Sequence, residues 1–333
     1  MKINRLIIGI FIIVLTLSFS ACSDKDDNNS NQKVEIDISQ APQEKENTDF
    51  EKEKEQYLMV REKTSYYSSS EIYHYTDYVY AYDSNGNKIK STRYNRDGEV
   101  QSYAIYHYND KNLQTNGATY GSDNKTQSTW NMEYNSDGLL TKRVSYDSNM
   151  KIEDREEHEY DARGNEIKKI IYDENGDVIS RDTYTYDENN RNITFEDYSK
   201  YFGLYFYEYE YDSSGNRILI KSYDENGKMM EKVQYQCDSN NNQISGTFYD
   251  ENGEISKTWE AEYDEYNNMI KMVGKDKDGT ITGTTIYERR YDVDGNCLYE
   301  LCIEDDRKAY LHEYEYISTN TYMLNGYVPS FEK

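Results

Sequence analysis

The side chains here that could do acid–base or metal chemistry are four histidines and a dense scatter of carboxylates. His74, His107, His158 and His312 fall at different offsets within the repeat described below, so stacking successive units does not gather them. Metal binding and general-base catalysis both need such convergence. The chain holds no nucleophile elbow, phosphate-binding loop or dinucleotide fingerprint. The sharpest ligand candidates are Asp276 and Asp278 in DKDG, and Asp292 and Asp294 in DVDGN, whose alternate carboxylates could hold Ca²⁺ through oxygen. Neither run is followed by the Glu that completes an EF-hand loop, and Asp at the first turn position is what a hairpin already demands. Turn chemistry therefore outweighs a dedicated cation site, and the expectation is a non-enzymatic chain without cofactor.

Tyrosine is the other conspicuous resource, at 38 of 333 residues, while all hydrophobic residues together make only 36% and proline occurs twice. Such a chain would be as apolar-poor as a disordered one without its tyrosines. The phenol ring can lie on a sheet while its hydroxyl stays wet, so Tyr is the expected packing residue. Tyr80, Tyr106, Trp130, Tyr184, Tyr207, Tyr209, Tyr235 and Trp259 form the candidate ligand-binding face. The plainer reading of those rings is the fold's own half-exposed core; the sharper one is a platform for a glycan or an extended partner. A net charge of −25 makes nucleic acid a poor partner.

What must position these rings is a repeat. Tyr82, Tyr108, Tyr134, Tyr160, Tyr186, Tyr211, Cys237, Tyr263 and Tyr291 each precede a turn, almost always 26 residues apart. A second set, from Tyr94 and Tyr120 to Tyr249 and Lys275, interleaves about 12 residues later. In YEYEYDSSGNRILI (207–220), aromatic and charged residues alternate, an Asp opens the turn and a Gly closes it. Each unit thus holds two strands and two turns, and degenerate turns near Ser68 and Asp305 bring the total to about 20 strands. With Thr115, Thr141 and Thr126 the exceptions, aliphatic residues follow most turns, such as Ile89, Ile167 and Ile270 after the first type and Val100, Ile152 and Ile281 after the second. They suggest an apolar face backed by a charged one. The five-residue step from Ile89 to Tyr94 breaks the parity, requiring either a bulge in those strands or a second tyrosine set on the opposite face. The expected fold is all-β, an antiparallel hairpin meander of about nine 26-residue repeats in a twisted or spiral single-sheet array.

The pattern Y-x-Y-D-x-x-G-N-x-I, present as YEYDSSGNRI (209–218) and, with His158 first, as HEYDARGNEI (158–167), resembles the YD repeats of the rearrangement-hotspot (RHS) family. It looks most like the repeat-only lipoproteins of that kind from low-GC Gram-positive bacteria. The resemblance implies hairpins that wind into a shell. Against the large members, which enclose a toxin domain, the expectation here is a repeat-only chain.

Residues 1–21 read as a lipoprotein signal peptide, with Lys2 and Arg5 before an apolar run and FSAC (19–22) resembling a lipobox, which makes Cys22 the lipidation site. Residues 22–56 read as a flexible polar tether, 57–316 as the repeat array and 317–333 as a tail or cap. Cys237, Cys297 and Cys302 read as plain thiols; Cys297 and Cys302, five apart on one strand, are expected on opposite faces. The functional expectation is a protein exported and lipid-anchored to the outer face of the bacterial membrane. There it would bind cell-envelope glycan or a surface protein through its Tyr-rich sheet. The alternative is a structural spacer or shell-like remnant of the repeat family, with a toxin-associated or calcium-binding role less favoured.

Overall fold

The computed structural model describes residues 57–68 and 71–318. The expected signal, Cys22, the tether and the last 15 residues lie outside this range. Twenty strands follow in order: β1 Tyr57–Ser68, β2 Glu71–Tyr82, β3 Lys88–Tyr94, β4 Val100–Tyr108, β5 Gln114–Gly121, β6 Thr126–Tyr134, β7 Leu140–Asp147, β8 Ile152–Tyr160, β9 Glu166–Asp173 and β10 Val178–Tyr186. The second half holds β11 Asn192–Ser199, β12 Gly203–Tyr211, β13 Arg217–Tyr223, β14 Met229–Cys237, β15 Gln243–Tyr249, β16 Ile255–Tyr263, β17 Met269–Asp276, β18 Ile281–Tyr291, β19 Cys297–Glu304 and β20 Arg307–Ser318. Among the described residues there is no helix.

Each strand pairs antiparallel with its sequence neighbour, and β1 also pairs with β20 from Tyr57↔Ser318 to Tyr66↔Tyr310. The sheet is therefore a closed β-barrel, which corrects the expectation of an open twisted or spiral array. Two forces favour closure. An open ribbon would leave the hydrogen-bonding edges of β1 and β20 unpaired, and a bulge in nearly every hairpin adds the curl that brings those edges together.

The turns explain the sequence motif. At residues 83–87 the Gly86 N–H donates to the Asp83 carbonyl at 3.1 Å and the Asp83 N–H donates to the Asn87 carbonyl at 2.9 Å. The Asp83 Oδ1 accepts the N–H groups of Asn85 and Asn87, both at 2.9 Å. The fourth position is left-handed, φ 80° at Gly86, which is why Gly or Asn fills it in most units.

Just past each first-type turn the register slips by one. Tyr82 pairs with Lys88 but Ala81 pairs with Lys90, so Ile89 is the extra residue of a bulge. The same slip falls at Thr115, Thr141, Ile167, Ile193, Ile218, Ile244, Ile270 and Leu298. Both branches of the parity problem hold together, because Tyr94 pairs with Asp77 and Tyr120 with Tyr103, on the face opposite Tyr78, Tyr80 and Tyr82. The aliphatic residues expected to build an apolar face are instead bulge and turn-edge residues, and Ile89, Ile152, Ile270, Ile281 and Leu298 are exposed.

Bulges free carbonyls from the ladder, and in six of these hairpins the motif tyrosine of the following repeat fills one. The hydroxyls of Tyr108, Tyr134, Tyr160 and Tyr186 donate to the carbonyls of Lys88, Gln114, Leu140 and Glu166 at 2.7–2.9 Å. Tyr211 and Tyr263 do the same to Asn192 and Gln243. A buried carbonyl must find a partner, so the tyrosine at this position serves hydrogen bonding as well as packing.

Candidate binding site on the inner face

The two faces of the barrel wall differ in kind. Outside, cross-strand pairs such as Lys142–Glu133, Lys168–Glu159 and Lys271–Glu262 lie in solvent at 2.9–3.1 Å. The other face carries buried Tyr80, Phe195, Tyr209, Ile220, Val233, Phe248 and Met272 and lines the interior, while on the outer face Val79, Asp77, Val144 and Leu301 are buried locally. By strand register, all eight candidate aromatic residues stand on this inner face. Tyr184, Phe195 and Tyr207 stack in one row with centroids 5.0 and 5.5 Å apart. Tyr80 and Tyr209 are packed in; Lys88 Nζ sits 3.8 Å from the Tyr80 ring and the Tyr80 hydroxyl donates to Glu62 at 3.0 Å. The platform inferred from sequence is thus a lining.

Two rows repeat one design. On β4, β5 and β6, Tyr106 faces Gly117, which faces Trp130; on β14, β15 and β16, Tyr235 faces Gly246, which faces Trp259. Each indole lies against its glycine, and a Cβ added there would come within 2.2 Å of Trp130 or 2.3 Å of Trp259. Each ring is flanked by its tilted tyrosine, at 5.9 and 6.3 Å. Ten strands separate the rows in a ring of twenty, so they occupy opposite sides of the barrel.

Beyond Trp130 the inner face becomes polar. Arg143 Nη1 pairs with Glu156 Oε1 at 3.1 Å, and His158 Nδ1 bonds Glu166 Oε1 at 2.5 Å with Glu156 Oε2 3.8 Å from its Nε2. His158 holds Glu156 down to about 2. Burial works to lower His158, but Glu156 and Glu166 overcome it and raise the imidazole to about 9. Across β10 and β11, Asp182 faces Asp197, and burial followed by that second charge lifts Asp182 to about 6. Three polar atoms in this region are buried without a hydrogen-bond partner: Ser145 Oγ, Asp154 Oδ1 and His158 Nε2. At the end of the barrel where the first-type turns lie, a cavity of about 720 Å³ is lined by His158, Tyr160, Thr141, Asn135, Asp161 and Arg163.

Sequence reasoning missed this polar patch because its members lie on consecutive strands at offsets that bulges shift. His74 and His312 are also drawn nearer than stacking predicts: closure sets β2 and β20 on either side of β1, with His74 5.5 Å from Tyr66 and His312 4.7 Å from Tyr310. No group of three or more His, Cys, Asp or Glu suited to a metal occurs among the described residues. The calcium candidates are turn residues. Asp292 Oδ1 accepts the Asp294 and Asn296 N–H groups, and Asp276 Oδ1 those of Asp278 and Thr280. Cys237, Cys297 and Cys302 are free thiols. Cys297 pairs with Tyr291 and Cys302 with Tyr287, so the bulge at Leu298 puts both cysteines on the inner face, correcting the opposite-face expectation. Burial raises the Cys302 thiol to about 12.

No family model matches the chain, and no curated protein matches it. Among solved structures, it is similar to the TcdB2-TccC3-Cdc42 structure at 13% identity and TM-score 0.33, over 70% of this chain and 15% of that one. A porin-like protein from Bacteroides uniformis is similar at 9% identity and TM-score 0.36, over 78% of this chain and 96% of that one. The Photorhabdus luminescens Tc holotoxin pore is similar at 12% identity and TM-score 0.31, over 70% and 15%. The chain spans about one sixth or less of the length of the first of these relatives. Likenesses of this size carry nothing about function.

Proposed function

We propose that this chain is an exported, lipid-anchored, non-enzymatic binding module that takes an extended cell-envelope glycan or protein segment against its tyrosine-rich sheet. The observation that carries the reading is the inner face itself, where aromatic rows stand beside unpartnered polar atoms. Ligand sites combine apolar surface with a few placed polar groups in this way. An inner face selects for a thin, extended ligand over a folded domain, because contact requires entry into the barrel. The anchor follows from FSAC (19–22) with Cys22 as the lipidated residue.

A soluble version of residues 23–333 serves as bait against solubilised native envelope. Retention of a glycan or an envelope protein above a bead control supports the reading, and an empty pull-down sinks it. A second reading, a spacer or shell, draws on the ladder: among the described strands, each packs to any extent only against its two neighbours in the ring. Such a wall needs no ligand to be useful, and the empty pull-down would favour it.

A further inference from the structure

One cross-strand row on the inner face runs Tyr106, Gly117, Trp130, Ser145, Asp154 over β4 to β8. Trp130 presents a half-buried indole held flat by Gly117 beneath it. The next residue in the row, Ser145, is 5% exposed and its hydroxyl has no partner. The residue after that, Asp154, leaves Oδ1 buried and unpartnered. A buried acceptor without a donor is costly, and Ser145 and Asp154 are the next two cross-strand positions after Trp130 in this row. His158, four residues along β8 on the same face, has a side chain 8% exposed and turns its Nε2 toward Glu156 Oε2 at 3.8 Å.

We propose that Trp130, Ser145 and Asp154 form a subsite for a neutral, hydroxyl-rich pyranose unit of a glycan chain. The proposal rests on the binding-module reading above and names the ligand chemistry of that face. A sugar ring offers an apolar C–H face to stack on the indole and an edge of hydroxyls that donate to Asp154 Oδ1 and exchange hydrogen bonds with Ser145 Oγ. An anionic sugar fits poorly, since Asp154 faces Asp173 in the adjoining strand and the nearby cations are already engaged, Arg143 with Glu156 and Lys169 with Glu156 and Asp182. The matching row at Trp259 lacks this equipment, because its next two members are Gly274 and Gly283. The two tryptophans are therefore unequal: Trp130 is followed in its row by two polar residues, Trp259 by two glycines.

The test titrates residues 23–333 with tetramers of N-acetylglucosamine and of glucose, both neutral, and with a galacturonate tetramer, by calorimetry and tryptophan fluorescence. At least one neutral tetramer is expected to bind. Trp130→Ala should weaken it about tenfold, and Asp154→Asn about fivefold, while Trp259→Ala stays within about twofold. Melting curves accompany each variant, and Asp154→Asn, which keeps the side chain's shape, carries the test if Trp130→Ala does not fold. Unchanged affinity in both Trp130→Ala and Asp154→Asn, or a loss in Trp259→Ala as large as in Trp130→Ala, overturns the subsite. Tighter binding of the galacturonate overturns its chemistry. Failure of both neutral tetramers overturns the inference alone; the wider binding reading falls only if the envelope pull-down is also empty.

Discussion

Gln243 donates its side-chain amide to the carbonyl of Arg217, 3.3 Å away, across the strand where Cys237 occupies the motif tyrosine's place. Arg217 precedes the bulge at Ile218, so its carbonyl is the one a tyrosine hydroxyl would fill. At Tyr291 a similar exchange occurs: Arg289 Nη1 reaches the Met269 carbonyl at 2.7 Å, just before the bulge at Ile270. The requirement belongs to the carbonyl, and the donor is interchangeable.

Gln243→Ala should therefore cost about 1 kcal/mol, the usual penalty for stranding a part-buried acceptor. Cys237→Tyr in that background should restore most of it, while in the parent chain it should change stability far less. A double-mutant cycle by urea unfolding measures the coupling. Additive effects would show that the carbonyl needs no partner.

Met150 holds the left-handed turn position at φ 63° with its side chain exposed, where most other hairpins place Gly or Asn. Its sulfur accepts from the Thr129 hydroxyl at 3.9 Å. Met150→Gly should stabilise the barrel by about 0.5–1 kcal/mol, because the strain on a side chain in this region exceeds the entropy that glycine adds to the unfolded chain. Thermal melting decides it, with Met150→Ala as the control that should gain nothing.

Strands and turns were legible because Asp, Gly and alternating Tyr are local signals: Asp212 and Gly215 fix their hairpin whatever lies beyond. Closure was not, because it depends on Tyr57 and Ser318 meeting across the whole chain, and no local pattern records that. The faces were half legible. Counting by two placed Trp130 and Trp259 correctly together, but a count from Cys297 to Cys302 crosses the bulge at Leu298 and inverts the answer. The polar patch escaped for the same reason, since His158 and Glu166 meet across a turn in which parity slips at Ile167.

His158 gives the barrel a pH dependence. Its folded value of about 9 lies above the unfolded 6.5, so its contribution is whole below 6.5 and is lost as pH rises through 9. Glu156, lowered from 4.5 to about 2, contributes above 4.5 and loses that contribution as pH falls through 2. Melting temperature measured from pH 6 to 10 should fall more steeply in the parent than in His158→Gln. Parallel curves would mean the imidazole gains nothing from its carboxylates.

Asp182 works in the opposite sense to Glu156. Burial and the facing Asp197 raise it from 3.8 to about 6, so the folded state favours the proton and stability declines as pH climbs through that window. Asp182→Asn removes the charge and should stabilise the protein by about 1 kcal/mol at pH 7, with no gain at pH 3.5. A gain that is the same at both pH values would point to packing and not to charge.

Closure itself can be tested at Arg61, which binds Asp77 through two bonds, Nε to Oδ1 at 2.9 Å and Nη2 to Oδ2 at 2.8 Å, and reaches Glu315 at 3.4 Å. It thereby ties β1 to β2 on one side and to β20 on the other, at the seam where the chain's two ends meet. The Asp77 side chain is 4% exposed, so Arg61→Met strands a buried carboxylate, at a cost of about 3 kcal/mol or more. Arg61→Lys keeps the charge without the planar fork and should recover only part of it. Hydrogen exchange locates the damage: if the fork holds the seam, protection falls in β1, β2 and β20 while β10 and β11, half a circuit away, keep theirs. Uniform loss around the ring would show instead that the barrel opens as one unit and that no single junction governs its closure.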